Sequence, residues 1–396
     1  MVTHEATASM IGYLYQVRYA LMHLLYEENP STQISIEKFD DITLETETGN
    51  PLEIIQTKCH TERKGDLTDR STDLWRTIKV WIDSVSKDST LLENTKFIII
   101  TTASIPDNSA ANRISSAQFD EAYEILKTVA EEHGNRAHKE YYDAFLEHDE
   151  SELRTLLSKV KIISGSLNIQ DLLNAIKNRI RITCRSNHID LITERIEGWW
   201  IQEVIKALVS DDLVIMSQRQ LYDKVYVISR EYDDDNLPTD CWNLDPKKEA
   251  ELEPRERIFL EQLRLLQSGS RTLNLAINDY FRASTQRSIW LRQGLVYAND
   301  LDIYEEKLID AWEHAFAAME DYLSDYGIPD DDEKIKAGKA LYRKVSDNDL
   351  RIRNKCDAPF VMRGTYHILA NDLKVGWHID FLRKLEHLLG GGDQNA

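Results

Sequence analysis

Apolar side chains recur at Ile11, Leu14, Leu21 and Leu25, with Tyr15 and Met22 beside them, the spacing of one face of a helix over residues 6–28. Gln16 lies off that stripe, with Gly12 one turn before it and Ala20 one turn after. Small neighbours at that spacing leave room for something to approach Gln16; close packing of another helix on Gly12 accounts for them equally well. "TQISIEKF" then alternates as a strand does, and "PLEIIQTK" repeats the alternation after a turn at Gly49-Asn50-Pro51, which predicts a hairpin. "DLTDRSTDLWRTIKVWIDSV" opens on Ser, Thr and Asp and places Leu74, Ile78, Trp81, Ile82 and Val85 on one helical face. The run "TKFIIITTAS", residues 95–104, apolar at its centre and rich in β-branched residues, suits a buried central strand parallel to the one before it. The order helix, hairpin, helix, strand makes a compact α/β unit ending near residue 105.

Beyond it, residues 110–160 read as charged helices. Residues 161–230 read as mixed, with "KVKIISG" and "DKVYVISREY" as strands around helices that carry Trp199 and Trp200. Acid, proline and polar residues cluster in "EYDDDNLPTDCWNLDPKKEAELEP", which reads as a linker or exposed loop. Residues 254–325 look all-helical, "SDYGIPDDDEK" interrupts as an acidic loop, the segment to about 389 closes the domain, and "GGGDQNA" is a flexible tail. The expected organisation is an α/β domain with a helical extension over 1–160, a mixed connecting region over 161–245 and a mostly α-helical domain over 246–396. No internal repeat or sustained heptad run is present.

An apolar share of 42% and a charged share of 29% describe a soluble globular protein. No run nears the roughly 18 apolar residues of a membrane span, and the N-terminus lacks a basic segment followed by an apolar one. Cys59, Cys184, Cys241 and Cys356 are far apart without a CxxC pair, so reduced thiols and a cytoplasmic location are expected, with neither zinc site nor disulfide framework. The formal net charge of −20 changes the picture more. Residues 1–105 hold 10 Lys/Arg against 16 Asp/Glu. Tight binding of nucleic acid by the whole surface is disfavoured, and any action on DNA needs a metal ion, a local basic patch or a partner.

In an extended strand Gln56 and Lys58 face the same way, roughly 6.6–7 Å apart, while Ile55 and Thr57 face the other. On the neighbouring strand Glu37 and Asp41 share parity, and Asp40 has the opposite one unless a bulge intervenes. A hairpin then brings Asp41, with Glu37, beside Gln56 and Lys58. Hard oxygen donors and one ammonium at a strand end suit Mg²⁺ held through one or two carboxylates, with Mn²⁺ as a substitute. The ion polarises a phosphoryl oxygen and acidifies a water; the lysine orients that water or stabilises developing charge.

The pattern D-x(14)-Q-x-K from Asp41 to Lys58 resembles the PD-(D/E)xK motif of restriction-endonuclease-like folds, in the variant with glutamine as the second acid. With GYLYQ in the first helix, EKFDDI on the strand, IIQTKCH and TDLWRTIKVW, residues 6–105 look like the nuclease domain of bacterial antiphage effectors, including cyclic-nucleotide-activated ones. The resemblance extends to the nuclease subunit of Lamassu/Ddm-type systems, which pair it with an SMC-like ATPase and a small third subunit. "RSIWLRQG…YEEKLIDAWEHAF" and "RGTYHILANDLKVGWHIDFLRKL" resemble adaptor regions of such three-component systems. The resemblance implies Asp41 as metal ligand, Gln56 as a weaker ligand through its amide oxygen, Lys58 as catalytic lysine and Gln16 as support from the helix. It further implies a metal-dependent DNA endonuclease held quiet until its ATPase partner acts, with self-oligomerisation on activation as one further partner expectation. Glu37 supplies the charge that Gln56 lacks, or is a solvated strand acid.

Plainer readings compete. A surface Gln/Lys pair produces the same motif by chance, leaving a non-catalytic adaptor with a degenerate nuclease fold, and the same chemistry also fits a ribonuclease. Cys59-His60 has no second pair to complete a metal site. Trp199-Trp200 and Trp377 read as core or interface aromatics, and those around Trp290 and Trp377 suit a protein interface of the C-terminal domain. Arg282, Arg287 and Arg292 default to helix-surface salt bridges. The runs Asp233–Asp235 and Asp330–Glu333 read as solvated loops. No GxxxxGK[ST], GxGxxG or GxSxG occurs.

Overall fold

A computed structural model describes residues 4–59, 66–184, 186–210, 213–245, 247, 248, 252, 257–325 and 327–388. His60 of the Cys59-His60 pair and the tail 390–396 lie outside them. The chain divides into two units, Met1–Arg230 and Glu231–Ala396.

The first unit is α/β. Its mixed sheet has six strands, β1 (Gln33–Ile36), β2 (Ile42–Glu45), β3 (Pro51–Lys58), β4 (Lys96–Thr101), β5 (Val160–Ile163) and β6 (Val214–Ser217), in the order β5-β4-β3-β2-β1-β6. β3, β4 and β5 run parallel, and β4 is buried along five of its six residues, as a run of β-branched residues covered on both faces should be. β2 pairs antiparallel with β3, and β1 with both β2 and β6. The hairpin expected from the sequence is thus a three-strand meander. "EKFDDI" is not strand over its acids: residues 37–41 are the turn between β1 and β2, so strand parity does not govern Glu37, Asp40 and Asp41.

α1 (His4–Tyr26) buries Tyr15, Gln16, Tyr19, Ala20, Leu24 and Leu25, while Leu14, placed by the sequence on the buried stripe, is 44% exposed. The inward face is therefore rotated from the expected one, and it carries Gln16 inward. α2 (Thr72–Lys87) and α3 (Leu91–Asn94) lead into β4; α4 (Ala110–Ser115), α5 (Phe119–Glu132), α6 (Lys139–Glu147) and α7 (Glu150–Lys159) lead from it into β5. On β3, Ile54 joins the core that Trp75, Ile78 and Trp81 of α2 form with Phe97 and Ile99, so Gln56 and Lys58, of the same parity, face the α2 side. Glu53, of the other parity, meets His23 of α1 at 3.0 Å.

Residues 161–230 pack within this first unit, giving it the end of β5, then β6, α8 (Ile169–Ile180), α9 (Ile189–Val209) and α10 (Gln218–Arg230). "DKVYVISREY" is not a strand; it continues α10, whose buried Leu221, Val225 and Ile228 recur at helical spacing. Its β-branched composition suggested otherwise, and the period decided. Arg18 pairs with Glu197, and the Trp200 indole donates to the Val17 carbonyl at 2.8 Å, which fixes α9 along α1.

The second unit is helical: α11 (Ile258–Leu265), α12 (Ser270–Arg292), α13 (Ala298–Ser324), α14 (Asp331–Ser346), α15 (Pro359–Asn371) and α16 (Phe381–Leu385). α12 and α15 approach so closely that a Cβ on Gly364 would stand 2.1 Å from the Asp279 carbonyl oxygen. The Gln262 amide donates to the Ala370 and Val375 carbonyls, and its oxygen accepts from the Trp377 amide. The stretch read as a linker is instead bound to this unit: Leu237, Cys241 and Leu252 are buried in its core, and Gln286 accepts from the amides of Asp240 and Cys241. Trp290 and Trp377 are core residues, 0% and 1% exposed, so neither forms the interface the sequence suggested. Asp330–Glu333 is the capped first turn of α14, with Asp330 and Glu333 bonded reciprocally. Among the described residues no helix is long and apolar enough to cross a membrane.

His367 lies within α15 against Phe259 and Tyr342, its Nδ1 without a partner, and burial pulls its imidazole down to about 3. The unfolded chain takes up a proton below about 6.5 that the folded unit refuses, so stability falls as pH drops from there towards 3. His367→Phe should reduce this acid sensitivity by up to about 1.4 kcal/mol per pH unit in that window. Urea unfolding followed by tryptophan fluorescence at pH 7 and pH 4.5 would measure it; equal acid slopes in both proteins would refute it.

Candidate active site

The last rung of the β2–β3 ladder pairs Ile42 with Ile55, yet β3 continues to Lys58, where only β4 still pairs with it. The Thr57 amide would be left unpaired on the open side. Asp41, one residue before β2, fills the gap: its Oδ2 accepts from the Thr57 amide at 2.7 Å and from the Thr57 hydroxyl at 2.8 Å. A carboxylate thus takes the place of the missing rung, and its Oδ1 has no hydrogen-bond partner among the described residues.

The turn is held from both sides. From α1, the Gln16 amide donates to Glu37 Oε1 at 3.0 Å and to the Asp41 carbonyl at 2.5 Å. From α2, the Trp81 indole donates to Asp40 Oδ2 at 2.8 Å, while Asp40 Oδ1 accepts from the Asp41 amide. Glu37 sits at φ +59°, a left-handed conformation that costs a non-glycine residue about 1 kcal/mol or more. Burial, and then the Asp41 carboxylate beside it, pushes the Asp40 carboxyl up to about 7, against the opposing influence of its two N–H donors and Lys58.

Gln16, Glu37, Asp40, Asp41 and Thr57 line one cleft of about 440 Å³, whose walls also include Gly12 and Tyr13 of α1, Lys38 and Phe39 of the turn, and Arg76 and Val80 of α2. All six residues singled out in the sequence, Gln16, Glu37, Asp40, Asp41, Gln56 and Lys58, are among its lining. Their roles within it differ. Gln56 is buried, and neither its amide nor the Lys58 ammonium has a hydrogen-bond or ionic partner among the described residues. Asp41 binds Thr57, whose parity is opposite to that of Gln56 and Lys58, whereas Asp40 turns to Trp81 on the α2 side. Glu37 is engaged by Gln16. Thr57, Trp81 as a donor, and Arg76 carried no signal in the sequence, because a strand hydroxyl, a core indole and a helix-surface arginine are each ordinary in isolation.

Among the described residues no group of three or more His, Cys, Asp or Glu is gathered to hold a metal ion. Asp41 Oδ1 and the Gln56 amide oxygen belong to residues of the same cleft and have no hydrogen-bond partner among the described residues. Mg²⁺ is commonly bound through one or two carboxylates with several waters retained, so this donor set fits such an ion weakly held.

Thr57→Val keeps the amide bond to Asp41 and removes the hydroxyl bond. Loss of a hydrogen bond to a charged group should cost about 2 kcal/mol of stability, measurable by urea unfolding. A Thr57→Val protein as stable as the parent would show that the hydroxyl does not hold Asp41.

Residues 259–385 match the family model described as C-terminal domain 7 of the ABC-three component (ABC-3C) systems. The match begins at the second residue of α11 and ends with α16. No curated protein and no solved structure gives a significant match. The helical unit is thus similar to a domain carried at the C-terminus in ABC-three component systems, and those are antiphage defence systems.

Proposed function

We propose that this chain is the nuclease subunit of an ABC-three component type of antiphage system, a metal-dependent endonuclease that cuts DNA through a restriction-endonuclease-like first unit. The observation that carries the reading is that Asp41, Gln56 and Lys58 line one cleft, each with a polar group that has no hydrogen-bond or ion-pair partner among the described residues. Asp41, with Gln56, would hold a divalent cation, Mg²⁺ or Mn²⁺, which when bound would supply Lewis-acid polarisation of a phosphoryl oxygen and a more acidic water. Lys58, at the strand end, stabilises the charge that develops on the phosphate. Thr57 and Gln16 keep the Asp41 turn in place, so that the carboxylate needs no rearrangement when substrate arrives.

The net charge of −20 agrees with a subunit that is delivered to DNA by partners rather than attracted to it. An SMC-like ATPase and a small third subunit are the partners of this reading, with the helical unit as the docking module. A second reading, a non-catalytic adaptor with a degenerate nuclease fold, draws on the lack, among the described residues, of any group of three or more His, Cys, Asp or Glu placed to hold a metal ion.

The test is cleavage of plasmid DNA, and of RNA in parallel, by the full chain with Mg²⁺ or Mn²⁺, alone and with its co-expressed partner subunits. Lys58→Ala should lower cleavage by at least about 100-fold while unfolding at the parent's temperature. Asp41→Ala should abolish both cleavage and Mn²⁺ binding by calorimetry. Activity of the assembled system that survives Lys58→Ala would favour the adaptor.

Gln56 separates ligand from bystander. A neutral amide holds a hard cation less firmly than a carboxylate, so Gln56→Glu should keep activity or lower the metal concentration required. Gln56→Leu keeps the bulk, removes the oxygen and should raise that concentration or abolish cleavage. Titration of Mg²⁺ against cleavage rate decides, and a fully active leucine variant would remove Gln56 from the site.

A further inference from the structure

Arg76 lies in the second turn of α2, four residues before Val80, and both line the cleft. It is exposed, and among the described residues its guanidinium makes no ion pair or hydrogen bond. Acids outnumber bases 68 to 48 in this chain, so acidic partners for a cation are plentiful. Lys38, on the same cleft, is drawn 2.5 Å from the buried Glu45 carboxylate, and Arg18 and Arg70 are paired with Glu197 and Glu132. Arg76 shares its cleft with Glu37, Asp40 and Asp41, yet among the described residues it bonds to none of them, and those carboxylates accept instead from Gln16, Trp81 and Thr57. The local acids are therefore not what holds the arginine.

Among the described residues the cleft thus has two cations without an ion pair on different elements, Lys58 at the end of β3 and Arg76 on α2. A guanidinium offers a planar fork of N–H donors that matches two oxygens of one phosphate, whereas an ammonium acts as a point charge. We propose that Arg76 is a substrate-binding residue that grips a backbone phosphate of a polynucleotide, neighbouring the phosphate on which Lys58 acts. The proposal rests on the nuclease reading for its substrate and on the geometry for its residue. The two cations then divide the work. Lys58 meets charge that grows in the transition state and governs kcat; Arg76 meets a phosphate whose charge is constant through the reaction and governs binding and KM.

The experiment uses the full chain. Binding is followed by the anisotropy of a fluorescein-labelled DNA duplex across a range of salt, in a Lys58→Ala background so that no substrate is consumed. Arg76→Ala should weaken binding about tenfold and make the slope of log K against log[salt] shallower by about 0.9, the share of one phosphate contact. Arg76→Lys should restore the slope and only part of the affinity, since it keeps the charge and loses the fork. With Lys58 present, Arg76→Ala should raise KM with kcat within about twofold of the parent, and its unfolding temperature should match the parent's because the side chain is exposed.

Cleavage and binding that are indifferent to Arg76→Ala would overturn the proposal and leave the nuclease reading intact. A fall in kcat with an unchanged salt slope would also overturn it, by making the role structural. Binding that depends on Arg76 in a chain that cuts neither DNA nor RNA would support the proposal and sink the nuclease reading. If the parent chain, alone and with its partner subunits, binds no polynucleotide, both fall.

Discussion

The site depends on one backbone N–H. β3 outruns β2 by three residues, so the Thr57 amide lies beyond the last ladder pair. An unpaired amide at the end of a mostly buried strand is costly, and a carboxylate answers it better than water because a charge-assisted bond is the stronger one. Asp41 takes this amide and the Thr57 hydroxyl with a single oxygen, leaving the second oxygen free. From that follows the path of the turn: Glu37 in a left-handed conformation, Gln16 of α1 bonded to its carboxylate, and Asp40 directed back to Trp81 of α2. Two helices and two strands meet in the cleft through these few bonds.

The electrostatics of the cleft follow from the same packing. Two adjacent carboxylates in a turn repel, and burial penalises the charge of the one that is more enclosed. Asp40 carries that penalty and is raised towards neutrality, and the Asp41 amide and Trp81 indole N–H supply its hydrogen bonds. Asp41 keeps one oxygen without a hydrogen-bond partner among the described residues. Among the described residues Lys58 and Arg76 form no ion pair although acids line the same walls, and each of those acids accepts from another donor. A cleft assembled in this way has negative charge fixed in place and positive charge free to meet a ligand, within a chain whose surface is strongly acidic.

The second unit is organised by close approach, with an ion pair from Arg363 of α15 to Asp279 of α12 at the same crossing. Gly364 lets α15 lie against α12, and Gln262 ties the end of α15 to the segment that follows it. The aromatics of the motif-like stretches, Trp290 and Trp377 among them, are spent on its core. The match to a C-terminal domain of ABC-three component systems falls on this unit, so its recognisable pattern is in good part a record of packing.

Much was legible along the chain because it rests on local periodicity. The apolar face of α2, the buried parallel strand β4, the strand ending in Gln56 and Lys58, and the helical character of the last third are set by spacings of two or three to four residues. Parity alone placed Gln56 and Lys58 on one side of β3. What spacing does not encode is where a ladder stops. That β2 begins only at Ile42, turning "EKFDDI" into a loop and Asp41 into a substitute rung, depends on pairing between residues far apart in sequence. The inward rotation of α1 that buries Gln16, the helical fate of "DKVYVISREY" and the capture of Leu237, Cys241 and Leu252 by the second core have the same origin. Each was decided by which surface a segment meets in the folded chain, and hydrophobic pattern, being a property of the segment alone, determines only that some surface must be met.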